Sequence, residues 1–120
     1  MTKPSWWLIV LATILAGCAG AVAPAGNSSS GRELAVAKNC ASCHTTTGAR
    51  SVGPTWDSLA GSDVELESGR VVVADSAYLA ASIKNPQAEL VAGFDVVSMP
   101  TLDLTDDEVA ALVEYIQSLG

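Results

Sequence analysis

Cys40, Cys43 and His44 are the residues of this sequence whose types and spacing could do chemistry together. They form the run Cys-Ala-Ser-Cys-His over residues 40–44. Two thiols at this spacing can form thioethers with the two vinyl groups on one edge of a porphyrin, while the adjacent imidazole coordinates the iron from one face. The motif therefore predicts one covalently attached haem c, with His44 as an axial ligand of its iron.

Two other kinds of site use cysteines at this spacing. A structural zinc site needs four Cys or His ligands, whereas the whole sequence holds three cysteines and one histidine. A thiol-disulfide redox centre would normally lie between a strand and a helix of a βαβ unit, and the sequence shows no alternation of buried strands with helices. The composition disfavours both alternatives.

The N-terminal segment has the pattern of a secretory signal peptide. Lys3 precedes an apolar run over residues 6–16, which is followed by small residues. This run is shorter than the roughly 20 residues that a transmembrane helix needs. Leu15-Ala16-Gly17-Cys18 resembles the lipobox of bacterial lipoproteins, in which the cysteine is lipidated and becomes the first residue of the mature chain. We predict lipidation of Cys18; the alternative is a plain cleavage site that leaves Cys18 free or disulfide-bonded.

These features divide the chain into three parts. Residues 1–17 are predicted to be a lipoprotein signal peptide, and residues 18–30, which are small and polar, a lipid-anchored flexible linker. Residues 31–120 are long enough for one compact domain. Export agrees with the haem motif, because bacteria attach haem covalently on the outer side of the cytoplasmic membrane. We expect an exported protein, lipid-anchored to a bacterial membrane on its extracytoplasmic side.

Met99 is the candidate for the second axial ligand. Loss of residues 1–17 removes Met1, so Met99 becomes the only methionine of the mature chain, and His44 is its only histidine. Bis-histidine ligation within one chain is therefore excluded, and Met99 is favoured as a ligand over a role as a core filler. An iron with both axial positions filled has no position for a substrate. We expect electron transfer, with no enzyme activity and no small-molecule substrate.

Sequence periodicity predicts the elements that must position these residues. Residues 31–39 form a helix that runs directly into the haem motif. Residues 64–67 and 70–73 form a short hairpin in which Gly69 supplies the turn.

Two more helices follow the hairpin. Asp75 is expected to cap a helix over residues 76–84, which ends because the residue before Pro86 disfavours helical angles. Thr105 and Glu108 form a capping box at the start of the last helix. The apolar stripe of that helix is predicted to face the core: Val109, Leu112, Val113, Ile116 and Leu119.

Residues 31–119 resemble a class I c-type cytochrome. The resemblance is carried by the haem motif, Gly53-Pro54, Asn85-Pro86, Met99-Pro100 and the two terminal helices. The runs GPTW, LAGSDVELESG, VVADSAYLAASIKNP and VAGFDVVSMP are similar to those in the cytochrome c domain of haem-copper oxidase subunit II, which would here be a free-standing bacterial lipoprotein. The resemblance implies the small all-α cytochrome c fold, with three to four helices wrapped round one haem and a short β-hairpin insertion.

The resemblance also implies roles for single residues. Pro54 would offer its carbonyl oxygen to the outer ring nitrogen of His44, which leaves the other nitrogen for iron. Trp56 either donates its indole N–H to a haem propionate or packs in the core. Three further side chains would line the haem: Leu59, Leu79 and Ile83. In many members an aromatic residue stands where this chain has Ala35, which leaves Tyr115 facing Gly31 and a smaller partner.

Charge limits the partners. The net charge is −7, and loss of Lys3 with the signal peptide makes it −8. Nucleic acid is excluded as a natural target, whereas a redox protein with a neutral or basic patch is suitable. We expect a membrane-tethered carrier that donates electrons to a terminal oxidase or another respiratory complex. The alternatives are a haem sensor or weak peroxidase with a displaceable Met99, and a fixed subunit of a larger respiratory complex.

Overall fold

The computed structural model describes residues 28–120 as three α-helices and one two-stranded sheet. Helix α1 (Ser28–Ala37) leads into a 3₁₀ turn (Cys40–Ser42). Strands β1 (Asp63–Glu65) and β2 (Val71–Val73) follow, and then helices α2 (Ser76–Lys84) and α3 (Asp106–Gln117). The predicted helical fold with an inserted hairpin is confirmed at this level. The predicted signal peptide, most of the linker and Cys18 lie outside the described residues.

Helix α1 is shifted relative to its prediction over residues 31–39. It begins three residues earlier, at Ser28, and ends at Ala37 because Asn39 adopts left-handed backbone angles, with φ of 62°. Asparagine tolerates this conformation better than most residues, and it ends a helix. The predicted end of the helix was therefore wrong by two residues, and the chain turns sharply before Cys40.

Helices α1 and α3 pack at close range through Gly31. A Cβ atom at this position would overlap the carbonyl oxygen of Ala111 and lie 2.7 Å from Cβ of Tyr115. The missing side chain therefore lets the two helix backbones approach. Ala35, one turn further along α1, is buried in the core.

The hairpin forms around the predicted turn, but its strands are shorter than the predicted 64–67 and 70–73: β1 ends at Glu65 and β2 begins at Val71. Strands β1 and β2 pair antiparallel with Val64 opposite Val72, and Gly69 adopts φ of 81°, as the turn requires. Leu66, just after β1, forms an isolated bridge with Val91. The hairpin thereby holds the chain segment that leads towards Met99.

Both later helices begin at the predicted caps. The side chain of Asp75 accepts a hydrogen bond from the backbone N–H of Tyr78, and α2 ends at Lys84. Thr105 and Glu108 form the complete capping box at the start of α3. Leu119 of the predicted stripe is partly buried against the core. The other four residues of the stripe are buried in it: Val109, Leu112, Val113 and Ile116.

Within residues 28–120, no helix is long and apolar enough to cross a membrane.

Candidate functional site

Cys40, Cys43 and His44 are brought together by the 3₁₀ turn that follows α1. The backbone N–H groups of Cys43 and His44 both donate to the carbonyl oxygen of Cys40, at 3.1 Å. Both thiols are free and half-buried. Burial raises the pKa of the Cys40 thiol above its ordinary value of 9.0, so this group is a neutral thiol at neutral pH.

His44 is oriented by a backbone carbonyl. Its Nδ1 atom lies 2.8 Å from the carbonyl oxygen of Pro54. Since a carbonyl oxygen can only accept, Nδ1 carries the proton and the lone pair of Nε2 is left for another partner. The hydrogen bond that the resemblance implies is therefore present.

The loop that supplies this carbonyl is fixed close to the imidazole ring. The N–H of Gly53 donates to the carbonyl of Cys43 at 2.9 Å. A Cβ atom at Gly53 would lie 2.6 Å from Cε1 of His44, closer than side chains can approach. Burial lowers the pKa of His44 below 6.5, and the Pro54 hydrogen bond opposes this in part. His44 is therefore neutral at neutral pH, the form that binds metals.

Trp56 packs directly on His44. The two rings are stacked, with centroids 5.0 Å apart and 16° between their planes, and Tyr115 of α3 meets the indole edge-on at 6.0 Å. Trp56 is buried and belongs to the core cluster. These contacts support the packing role considered for Trp56, and they connect the imidazole to α3.

His44 and both cysteines line a cavity of about 720 Å³. This volume falls within the roughly 300–1,000 Å³ of small-molecule and cofactor sites. All nine cofactor-binding residues predicted from the sequence line this one cavity, although their roles towards a haem stay predictions: Cys40, Cys43, His44, Pro54, Trp56, Leu59, Leu79, Ile83 and Met99. The residues present therefore fit a haem in donor chemistry, wall polarity and space.

Met99 reaches the same cavity from the segment before α3. Its side chain is half-buried, and its carbonyl oxygen accepts a hydrogen bond from Nε2 of Gln87 at 3.0 Å. Further back, the hairpin binds this segment, because the N–H of Ala92 donates to Glu65 and the N–H of Glu67 donates to Leu90. The structure thus brings the predicted pair His44 and Met99 to one site from segments far apart in sequence.

Several cavity residues were not predicted from the sequence. Tyr78 and Ser82 extend the face of α2 that Leu79 and Ile83 begin, and the helical spacing of these four residues could have indicated them. Val91, Phe94 and Leu102 come from irregular segments, where no periodicity exists to indicate them.

The cavity rim is acidic. Exposed carboxylates from the loop after Trp56 and from β1 line the opening: Asp57, Asp63 and Glu65. Lys38, which also lines it, forms an ion pair with Glu108 at 3.3 Å. The field at the opening is therefore negative. Among residues 28–120, no group of three or more His, Cys, Asp or Glu side chains lies close enough together to hold a bare metal ion.

Comparison with known proteins gives one family. Residues 28–120 match the family model described as cytochrome c. This range covers the haem motif, the cavity and all three helices. No curated protein sequence matches the chain.

Proposed function

The chain belongs to the cytochrome c family, whose members bind covalently attached haem c, and we propose that it is a one-electron carrier with His44 and Met99 as axial ligands. The observation that carries the proposal is a shared cavity. The two thiols, the imidazole and the lone methionine of residues 28–120 all line one space of about 720 Å³. A haem bound there supplies an iron centre that accepts and releases one electron.

The two cysteines provide the covalent attachment. Each thiol would add its S–H across one vinyl double bond, so that a C–S bond would form and the proton would end on the neighbouring carbon. No oxidant or reductant is consumed. The two thiols are three residues apart on one turn, with Cys40 half-buried in the cavity wall, which suits the attachment of one porphyrin edge.

His44 is prepared for ligation before any metal binds. Pro54 holds the proton on Nδ1, and Trp56 packs on the ring at 5.0 Å. Nε2 is left as the donor atom, and burial disfavours its protonation. A ligand fixed in this way does not need to reorient when the iron changes oxidation state.

Met99 would supply the second iron ligand, since its side chain lines the same cavity as His44. A thioether favours the ferrous iron more than a second imidazole does, which raises the reduction potential. If His44 and Met99 both bound the iron, substrate and dioxygen would have no position on it. The protein therefore transfers electrons without being an enzyme.

A membrane tether and an acidic docking face define the cellular role. Lipidated Cys18 would anchor the exported domain through a linker, which raises its effective concentration near membrane oxidoreductases. The acidic rim at Asp57, Asp63 and Glu65 suits a partner with a basic patch. We propose delivery of electrons to a terminal oxidase or another respiratory complex, whether as a shuttle or as a fixed subunit.

Optical spectra of the holoprotein test the ligand pair. Wild-type ferric protein should show the weak far-red band of methionine bound to iron, and Met99→Ala should lose the band and lower the reduction potential. Val96→Ala is the matched control, since Val96 is 87 % exposed and three residues away. An unchanged spectrum in Met99→Ala would show that Met99 is not the ligand, whereas rapid carbon monoxide binding to wild-type ferrous protein would favour a sensor or weak peroxidase.

Mass spectrometry of the mature protein tests the covalent features. Attached haem and acyl chains should each appear as discrete mass increments. Cys18→Ser should remove the acyl increment and release the protein from membranes, whereas Cys40→Ser should affect only haem attachment. Unaltered fractionation of Cys18→Ser would rule out the lipid anchor and leave the electron-transfer proposal intact.

A further inference from the structure

Two irregular segments contribute to the candidate site. Residues 45–54 follow the haem motif and include Val52, Gly53 and Pro54, and residues 93–99 include Phe94 and Met99. All five of these residues line the cavity. One segment therefore orients His44, and the other carries Met99.

Arg50 connects the two segments. Its Nη2 atom donates to the carbonyl oxygen of Gly93 at 2.7 Å, and its guanidinium carbon lies 4.5 Å from the centroid of the Phe94 ring. The same side chain thus makes a charge-assisted hydrogen bond and a cation–π contact. Both contacts are on the segment that ends at Met99.

Gly93, the residue that Arg50 contacts, is also bound by a side chain of the hairpin. Gly93 adopts φ of 78°, a conformation that glycine accepts without strain, and its N–H donates to Oε1 of Glu67 at 2.6 Å. Glu67 therefore binds the N–H of Gly93, and Arg50 binds its carbonyl oxygen.

Beyond Phe94, which is half-buried, the chain is exposed until it reaches Met99. Residues 95–98 are all exposed, and Val96 and Val97 have 87 % and 58 % of their surface accessible. Residues 90–92, in contrast, are bound to the hairpin by backbone hydrogen bonds. Arg50 acts where the anchored part ends and the exposed part begins.

We propose that Arg50 is a positioning residue for Met99, which keeps residues 93–99 closed against residues 45–54. This inference rests on the proposed ligation by Met99. A foreign ligand can replace the Met99 thioether only when residues 93–99 move away from the cavity. In this proposal residues 93–99 move as one unit, so the contacts of Arg50 with Gly93 and Phe94 break in that motion and Arg50 lowers the population of the open form.

Imidazole binding to the ferric holoprotein measures that opening. Arg50→Leu should speed imidazole binding about tenfold, because it removes both a charge-assisted hydrogen bond and a ring contact. Phe94→Leu keeps the charge and the hydrogen bond to Gly93, removes the ring contact and shortens one side chain of the cavity wall, so a roughly twofold to fivefold increase is expected. Arg32→Leu, on the exposed surface of α1, removes the same charge and should leave the rate unchanged.

Hydrogen exchange supplies a readout that does not depend on the iron spectrum. The backbone amides of Gly93 and Phe94, which donate to Glu67 and Val91, should exchange faster in Arg50→Leu, while those of α3 keep their protection. Imidazole rates in Arg50→Leu equal to those of the wild type or of Arg32→Leu would overturn the proposal. If Arg50→Leu fails to fold, the imidazole-binding rate of Phe94→Leu is compared with the wild-type rate, and an unchanged rate overturns the proposal. Wild-type protein that binds imidazole as fast as Met99→Ala would instead show that the proposed ligation is wrong.

Discussion

Nδ1 of His44 donates to the carbonyl oxygen of Pro54 at 2.8 Å, so the main chain, and not a side chain, orients the candidate iron ligand. The preceding residue, Gly53, has space for no side chain, since a Cβ atom there would lie 2.6 Å from the imidazole. Two neighbouring residues therefore place different demands on the sequence. One must supply a correctly placed carbonyl, and the other must lack a Cβ atom.

Substitution at these two positions should have unequal effects. Gly53→Ala should displace the imidazole, abolish the far-red methionine band and reduce the haem content of purified protein by more than half. Pro54→Ala retains the carbonyl group and should keep the band with near-normal haem content. Haem content is measured as the ratio of Soret to protein absorbance. Equal loss in both variants would show that the proline ring, and not the carbonyl, holds His44.

Gly31→Ala should destabilise the domain through the contact between α1 and α3. The new methyl group would overlap the carbonyl oxygen of Ala111, and overpacking of this kind costs about 1–3 kcal/mol. This cost opposes the gain in helix propensity from glycine to alanine, which is about 1 kcal/mol. Denaturant unfolding of the holoprotein measures the net loss.

Val36→Ala is the control for this helix. Val36 is 67 % exposed, and surface substitutions away from special features change the free energy of unfolding by about 0.5 kcal/mol or less. A Gly31→Ala variant as stable as Val36→Ala would mean that α1 and α3 can move apart slightly without lowering the free energy of unfolding.

Local signals in the sequence predicted most of the scaffold. Asp75 as a cap and Pro86 as a stop defined α2 correctly, and Gly69 defined the hairpin turn. Each of these depends on the conformational preference of one or two residues. The end of α1 was not predicted, because Asn39 leaves the helix to form the turn that places Cys40, and that requirement comes from the site.

The candidate site was predicted less completely. Spacing alone indicated Cys40, Cys43 and His44, and elimination indicated Met99. The contact between Arg50 and Gly93 joins two loops that are 43 residues apart. No pattern could have predicted it, since an exposed arginine in a loop has no periodicity and its partner is a backbone carbonyl.

Glu108 should make part of the stability depend on pH. Hydrogen bonds from Thr105 hold the pKa of this carboxyl below its ordinary 4.5, and the hydrogen bond and positive charge of Lys38 lower it further. A carboxyl with a lowered folded-state pKa binds fewer protons when folded, so it stabilises the fold above pH 4.5 and loses this effect as the pH falls through the folded-state value. Glu108→Gln should weaken that dependence in unfolding measured between about pH 6 and pH 3.

Asp107→Asn is the matched control, because it removes one carboxylate from the same first turn without touching the capping box. Its acid dependence should stay close to that of the wild type. If both variants weakened the pH dependence of the free energy of unfolding equally, the effect would come from the helix dipole and not from the contacts of Glu108.

The acidic rim should control electron transfer with charged reagents. Asp63 and Glu65 are exposed at the cavity opening, so replacing both by Asn and Gln should slow reduction of a cationic ruthenium hexaammine by a factor of roughly two to five and speed that of ferricyanide. Both effects should vanish in about 1 M salt, where the Debye length is about 3 Å. Glu33→Gln changes a charge on exposed α1 away from the cavity and should alter neither rate. If the double variant changed both rates in the same direction, its effect would be on the iron potential and not on approach to the rim.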